Sequence, residues 1–467
     1  LSHLSVYRTY INPDSCRSQD RGFVKEAIDK ARRQNPEGAH ELAFIDDLHN
    51  PEFHDNLRPK ERAEWLHAVM RFQQLTGPLM AKGFEDTALY VYNRLLSLNE
   101  VGGHPGRVGM SVSSFHELNQ TRFQRHPHTL NATSTHDAKR GEDVRARINV
   151  LSEVVREWEA KLSLWSKVNG KLKVTVNGQK APHPNDEYAL YQSILGALPF
   201  GGFEADDFVR RIKDYTLKAV REAKIHTNWL TPNEAYESAI CSFVDRILAP
   251  DQGQRFLDSF VPFQKRIARY GIWNSLAQTL LKMTSPGIPD FYQGTELWDL
   301  NLVDPDNRRP VDFELRENSL MNMQRRENEN ILGLIDELLS MREDGRVKLF
   351  LIHRVLKARN EYRELFTEGD YKAVEAKGRR RRHVVAFLRQ KRGQRALIAV
   401  PRLLTDVIAE DQVPLGTTTW SDTRVTVPSA GRMRWKNAIT GQMLECDGSI
   451  AVGDFFEHFP VALLLQG

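Results

Sequence analysis

Three stretches of the chain combine carboxylates, basic groups and hydrogen-bonding side chains with turn residues. The first is Lys82-Gly83-Phe84-Glu85-Asp86-Thr87, leading to Tyr90, Tyr92, Asn93, Arg94, Asn99 and Glu100. The second is His136-Asp137, followed by Lys139, Arg140, Glu142 and Asp143. The third spans 287–297, with Tyr292 and Glu296, and continues to Asp304, Asn307, Arg308 and Arg309. A carbohydrate needs such a lining, because each sugar hydroxyl both donates and accepts a hydrogen bond. The faces of Tyr90, Tyr92, Phe291 and Tyr292 can stack on the C–H face of a pyranose ring. Any one stretch reads equally well as helix caps and solvated ion pairs. Three of them, each at a loop or a strand end, read as a site.

Positioning elements can be placed around these residues. A β-compatible run at 129–135 ends in His136-Asp137, and a helical pattern fills 142–165. That order puts a carboxylate at the C-terminal end of a strand, where a (β/α)8 barrel carries its chemistry. The competing reading is that Asp137 caps the following helix. A second short strand is expected at 287–292, behind Pro286, with a polar loop at 298–313 after it. A strand is also expected at 6–11, where β-branched and aromatic residues crowd together.

Between these strands the pattern is helical. Helices are expected at 23–33, within 55–80 (starting near Arg58-Pro59) and along 79–98, with a loop at 101–106. A polar loop is expected at 171–184. Four helices follow at 188–198, 206–222, 233–248 and 254–269, then two more at 273–283 and 330–342. From Tyr371 on, the strand-like runs 384–388, 396–400, 425–427 and 461–464 alternate with turn residues and predict an all-β sandwich. The expected architecture is α/β: the later part of a (β/α)8 barrel with a large helical insertion and a C-terminal all-β sandwich. Its segments are 1–150 and 271–345 for the barrel, 151–270 for the insertion and 346–467 for the β domain.

Composition narrows the function classes. The 467 residues are 40% hydrophobic and 27% charged, as in an ordinary globular protein, and long enough for two or three cores. A formal net charge of +4 is small for this length and gives no reason to expect a nucleic-acid or membrane partner. The run Arg379-Arg380-Arg381-Arg382-His383 is read as a solvated hairpin tip. No run of 18 apolar residues is present. Cys16, Cys241 and Cys446 are far apart and make neither a zinc spacing nor a disulfide framework, which predicts a cytoplasmic protein without metal. The chain opens without Met and without a signal-peptide pattern, so a fragment of something longer is expected.

The segments KGFEDTALYVYNRLLSLNEVGG (82–103), STHDAKRGEDVRAR (134–147) and SPGIPDFYQGTELWDLNLVDPDNRRPVDF (285–313) resemble the maltooligosyl trehalose synthases, a branch of the α-amylase superfamily. Residues 6–11 and 227–233 are similar to family segments too. Ala138 departs from the pattern, which has Thr there. The resemblance implies an intramolecular transglucosylase. Such an enzyme cuts the reducing-end α-1,4 bond of a maltooligosaccharide and rejoins the freed glucose through an α,α-1,1 bond, with no cofactor. It implies retaining-glycosidase chemistry, in which one carboxylate attacks and a second protonates the leaving oxygen. A third carboxylate grips sugar hydroxyls as positive charge develops, and that role falls to Asp137, with His136 as a donor beside it. Substrate contacts are expected from Lys82, Glu85, Asp86, Tyr92, Arg94, Lys139, Arg140, Tyr292, Glu296 and Arg309. The family's nucleophile and acid/base find no match in 1–130, so the chain on its own is expected to be inactive and to need a missing N-terminal portion. The alternatives are a non-catalytic glucan-binding fragment and an ordinary α-amylase or 4-α-glucanotransferase.

Overall fold

A computed structural model describes residues 1–12, 15, 17–50, 57–202, 206–428 and 431–466. Cys16 and the opening of the 55–80 segment lie outside the described residues. The chain separates into two compact units, residues 1–92 with 222–224 and residues 93–221 with 225–467.

The first unit is helical. Helix α1 (Ser18–Gln34) buries Val24, Ala27 and Ile28 on one face and ends in Arg32 and Arg33, where positive charge meets the helix dipole. Helix α2 (Ala39–Leu48) follows. Helix α3 (Pro59–Met80) starts where Arg58-Pro59 predicts. Proline lacks a donor that the first turn leaves unpaired anyway, and the Glu61 carboxylate accepts from the Arg58 backbone N–H at 3.1 Å. A π-helical segment, Ala81–Ala88, and a short α4 (Leu89–Val91) complete the run. The strand expected at 6–11 does not form. The Ile11 N–H and C=O are both taken by the side-chain amide of Gln73 on α3, at 2.7 and 2.8 Å. One amide supplies the donor and acceptor that a neighbouring strand would offer, so the local β-propensity is satisfied without a sheet.

The second unit opens with helix α5 (Val112–Arg125), capped by the Ser111 hydroxyl. Strand β1 (Leu130–Asn131) and helix α6 (Glu142–Asn149) follow. Helices α7 (Val155–Asn169), α8 (Pro184–Ala197), α9 (Asp206–Ala223), α10 (Glu234–Leu248) and α11 (Pro250–Thr284) form the long helical stretch. Within 171–184 the expected loop is a hairpin, β2 (Val174–Val176) and β3 (Gln179–Ala181), turning at Asn177-Gly178. The two helices expected at 254–269 and 273–283 are one. Gly271 sits inside α11 where a Cβ would stand 2.6 Å from Arg147 Cγ, so this glycine lets α6 approach the helix and does not end it.

Strand β4 (Ile288–Pro289) pairs in parallel with β1, Leu130 opposite Ile288. Both strands are shorter than expected. Pro289 offers no N–H to the ladder, and the pairing ends when Asp290 N–H reaches the Asn131 carbonyl at 3.0 Å. Just before β4, Gly287 has φ +125°, and a Cβ there would lie 2.6 Å from the Asn131 side chain and 2.7 Å from the Thr129 carbonyl. Only glycine permits this approach of the two strands.

Helix α12 (Phe313–Ser340) is kinked at Asn330, whose side chain recaps the chain at Gly333 N–H, 3.0 Å away. Helices α13 (Arg346–Glu361) and α14 (Arg363–Glu368) occupy the start of the segment assigned to the β domain. Strands follow: β5 (Asp370–Val374), β6 (Ala376–Lys377), β7 (Val384–Lys391), β8 (Gln394–Pro401), β9 (Arg424–Thr426), β10 (Met433–Asn437), β11 (Met443–Cys446), β12 (Ser449–Ala451) and β13 (Ala462–Gln466). They form a six-stranded antiparallel sheet, β11-β10-β13-β8-β7-β5, and a three-stranded one, β12-β9-β6. Apolar runs in β7 and β8 are buried on both faces of the larger sheet, whose β5, β10 and β11 carry both buried and exposed residues. The arginine run passes from β6 in one sheet to β7 in the other, so it is a crossover and not a hairpin tip.

Candidate functional site

The turn between β1 and α6 carries His136 and Asp137, both exposed. Helix α6 begins only at Glu142, with Gly141 as its N-cap, so Asp137 caps nothing. Its backbone N–H donates to Thr135 Oγ1 at 3.2 Å. Among the described residues its carboxylate has no hydrogen-bond or ion-pair partner, so it is available to a ligand. The third polar segment meets this turn at several residues, and Asn307 reaches its tip. Asn307 Nδ2 donates to the His136 carbonyl at 3.1 Å, and the Asn307 carbonyl accepts from the Tyr292 hydroxyl at 3.1 Å. Asn307, buried and named in the third polar stretch but not among the expected sugar contacts, therefore staples the loops that follow two adjacent parallel strands.

Other predicted contacts are turned inward. The Glu100 carboxylate accepts from the backbone N–H groups of Lys139 at 2.7 Å and Arg140 at 3.3 Å, and pairs with Arg145 at 3.4 Å. Both Lys139 and Arg140 are buried. The Arg140 guanidinium donates to the Tyr215 hydroxyl at 2.5 Å and the Leu96 carbonyl at 3.4 Å. This is the engagement of a scaffold residue, because a sugar would have to displace bonds in a closed space. Glu296 is held by Arg316 at 3.0 Å. Arg309 is exposed and reaches Asn301 Oδ1 at 2.7 Å and the Asp306 carboxylate at 3.1 Å. A polar cavity of about 220 Å³ opens there, lined by Arg210, Arg211, Lys218, Asp304, Asp306 and Arg309 among others. Arg94 is exposed, and its carbonyl accepts from the Tyr188 hydroxyl at 2.8 Å.

Beneath the turn lies a buried charge cluster. Lys348 Nζ on α13 is 2.6 Å from Glu142 Oε1 and 2.8 Å from Asp143 Oδ2. Lys282 on α11 is 3.3 Å from Glu142 Oε2 and 3.9 Å from the centre of the Phe291 ring. Burial acts to raise the Glu142 carboxyl, but Lys348 and Lys282 outweigh it and hold the group well below the usual carboxylate range. Burial likewise acts to neutralise Lys348, and Asp143 and Glu142 keep it charged. At Asp299 the compensation from Lys348 and the Asn301 N–H is too weak. Burial first, then the Asp143 charge, pushes its carboxyl up to about 6. Arg147, buried with its guanidinium on the Gly196 and Leu198 carbonyls at 3.0 and 2.6 Å, is pulled down by burial to about 10.

In the first unit, Lys82 and Asp86 form an exposed ion pair at 2.5 Å, one helical turn apart. Glu85 is buried and accepts from the Tyr7 hydroxyl, while Tyr92 is exposed. The π-helical winding of Ala81–Ala88 sets this arrangement, a local geometry that recurs at functional sites.

No protein-family model matches the chain. A Mycobacterium tuberculosis protein provisionally named a maltooligosyl trehalose synthase is 35% identical over 398 residues, 85% of this chain and 45% of its own length. The solved structure of maltooligosyltrehalose synthase from Arthrobacter ramosus is 32% identical, with a TM-score of 0.79 over 100% of this chain and 53% of that one. This chain is a homologue of the maltooligosyl trehalose synthases. A Sulfolobus tokodaii structure described as a hypothetical member superposes with a TM-score of 0.67 at 28% identity, again covering 100% of this chain and 52% of that one. The chain thus spans about half the length of the maltooligosyl trehalose synthases it matches. The residues that the sequence did not mark in this homologue are Lys282, Lys348 and Asp299. Lys282 and Lys348 sit on helices and carry no turn or motif signal, whereas Asn307 was named in the third polar stretch without a role.

Proposed function

We infer that this chain carries the sugar-gripping part of a maltooligosyl trehalose synthase, with Asp137 as the transition-state stabiliser and His136 as a hydroxyl donor beside it. On this reading β1 and β4 are the last two strands of a (β/α)8 barrel, 151–270 is a helical insertion, and the strands from Asp370 on make a sandwich. The substrate is an α-1,4-linked maltooligosaccharide, its reducing-end bond is converted to an α,α-1,1 bond, and the setting is the cytoplasm. The observation that carries the reading is the junction at Asn307: two parallel strands deliver Asp137 and Tyr292 to one place, and the Asp137 carboxylate is left open there.

The physics follows from that opening. A carboxylate that accepts hydrogen bonds from ring hydroxyls stabilises an oxocarbenium-like transition state more than the ground state, because the hydroxyls grow more acidic as the ring gains positive charge. Transfer in place of hydrolysis requires that the cut glucose stay, turn and meet the glycosyl group without water. Lys82, Glu85, Asp86 and Tyr92 in the first unit, and Arg94, Tyr292, Glu296 and Arg309 in the second, are each proposed as substrate contacts. Lys139 and Arg140 act on this view through the loop they hold in place.

Calorimetry with maltopentaose tests the reading. The chain should bind the sugar, and Asp137→Asn should weaken binding about tenfold, the worth of one or two charge-assisted hydrogen bonds. Because Asp137 is exposed and has no partner among the described residues, the melting temperature should not move. Equal affinity of the two proteins would overturn the assignment. Absence of any binding by the unmodified chain would overturn the whole reading.

A further inference from the structure

Both ends of the loop that presents His136 and Asp137 are tied to a buried carboxylate cluster gathered around one ammonium group, and Arg145 also donates to the Thr133 carbonyl at the near end. On the far side of the turn, Lys348 Nζ contacts Glu142 at 2.6 Å and Asp143 at 2.8 Å. On the near side, the Thr133 hydroxyl donates to the same Glu142 carboxylate, and the Ser134 hydroxyl donates to Asp299 Oδ2 at 3.4 Å. Asp299 is itself fixed by its backbone N–H, which donates to Asp143 Oδ2 at 2.7 Å. Lys348 also donates to the Leu297 carbonyl at 3.4 Å. Glu142, Asp143 and Lys348 are all essentially without solvent exposure.

The geometry points to Lys348 as a positioning residue for the His136-Asp137 turn. It sits on a helix that carries no candidate sugar contact, yet its charge joins both ends of the loop to the segment 297–299. Lys282 does only half of this, because it contacts Glu142 and not Asp143. Removing the Lys348 charge leaves two buried carboxylates short of a counterion, and the cluster relaxes by letting its loop move or by taking up protons. The pull on Asp137 rests on the function proposed above, whereas the pull on the loop does not.

Hydrogen exchange in Lys348→Met tests this. The amides of Ala138, Lys139, Arg140 and Gly141 are hydrogen-bonded within the loop, to Glu100 or to Asn301. Their exchange should accelerate about tenfold, the loss of roughly one net hydrogen bond, while the amides of β7 and β8 hold their protection. Maltopentaose affinity should fall by a similar factor. Should the methionine variant fail to fold, Thr133→Val with Ser134→Ala releases the near end without removing a buried charge, and the same amides should accelerate. Exchange of those four amides within about twofold of the unmodified protein, in whichever variant folds, overturns the inference. Failure of the unmodified chain to bind maltopentaose would instead strike the proposed function and leave the exchange result standing.

Discussion

Replacing Asp299 by Asn tests the electrostatics of the cluster most directly. The side chain is 4% exposed, and its carboxyl is raised from 3.8 to about 6, first by burial and then by the Asp143 charge. A raised carboxyl stabilises the fold fully below the unfolded value, where both states are protonated. Between about pH 4 and pH 6 the unfolded chain releases the proton and the folded protein keeps it, so stability falls as pH rises. Above pH 6 the loss is complete, and a gap of about two units corresponds to about 3 kcal/mol. Asparagine is neutral throughout and offers an oxygen to the Asn301 N–H and an amide to the Ser134 hydroxyl, the two groups that Asp299 now meets. The variant should therefore be more stable than the parent by up to about 3 kcal/mol at pH 8, and equal to it within about 0.5 kcal/mol at pH 4. Urea unfolding followed by tryptophan fluorescence reads the right unit, since seven of the eight tryptophans lie in the second. A stability difference that is the same at both pH values, or an asparagine variant weaker at pH 8, would refute the argument.

Two further outcomes are expected. Gly287→Ala should destabilise the second unit by more than about 1 kcal/mol, because its φ of +125° and the 2.6 Å approach to Asn131 exclude a Cβ; an unchanged urea midpoint would count against the tight β1–β4 junction. On the proposed reading, in which the family's nucleophile and acid/base are not matched within 1–130, the 467-residue polypeptide should bind maltopentaose without forming a trehalosyl end; a trehalosyl product seen by chromatography would reverse that expectation.

Much of this protein was legible without coordinates. Arg58-Pro59 marks the start of α3, the spacing of apolar residues marks α8 to α10, and β7 and β8 stand where apolar runs alternate with turns. The polar segments at 134–147 and 285–313 were recognised as partners, and the parallel β1–β4 pair joins them. These signals are local. Periodicity, caps and turns depend on neighbours within one or two turns of chain, so the order of residues states them. The strand expected at 6–11 failed because propensity says nothing about whether a partner strand will arrive, and here Gln73 arrived instead.

What the order of residues could not state is which polar groups face a ligand and which face each other. Arg140 looked like a sugar contact and is buried against Tyr215, while Asn307 joins the two loops of the candidate site. Lys348 and Asp143 are 205 residues apart, and nothing near Lys348 in sequence hints at carboxylates. Burial decides the role of each charge, because the free energy of an ionised group depends on how far water is excluded and on which counterion replaces it. Both are set only when distant segments pack together. The sequence alone determined the local elements and the kinds of chemistry available; the tertiary structure decided that Asp137 is left open, that Arg140 is closed in, and that one lysine far along the chain joins both ends of the loop between them.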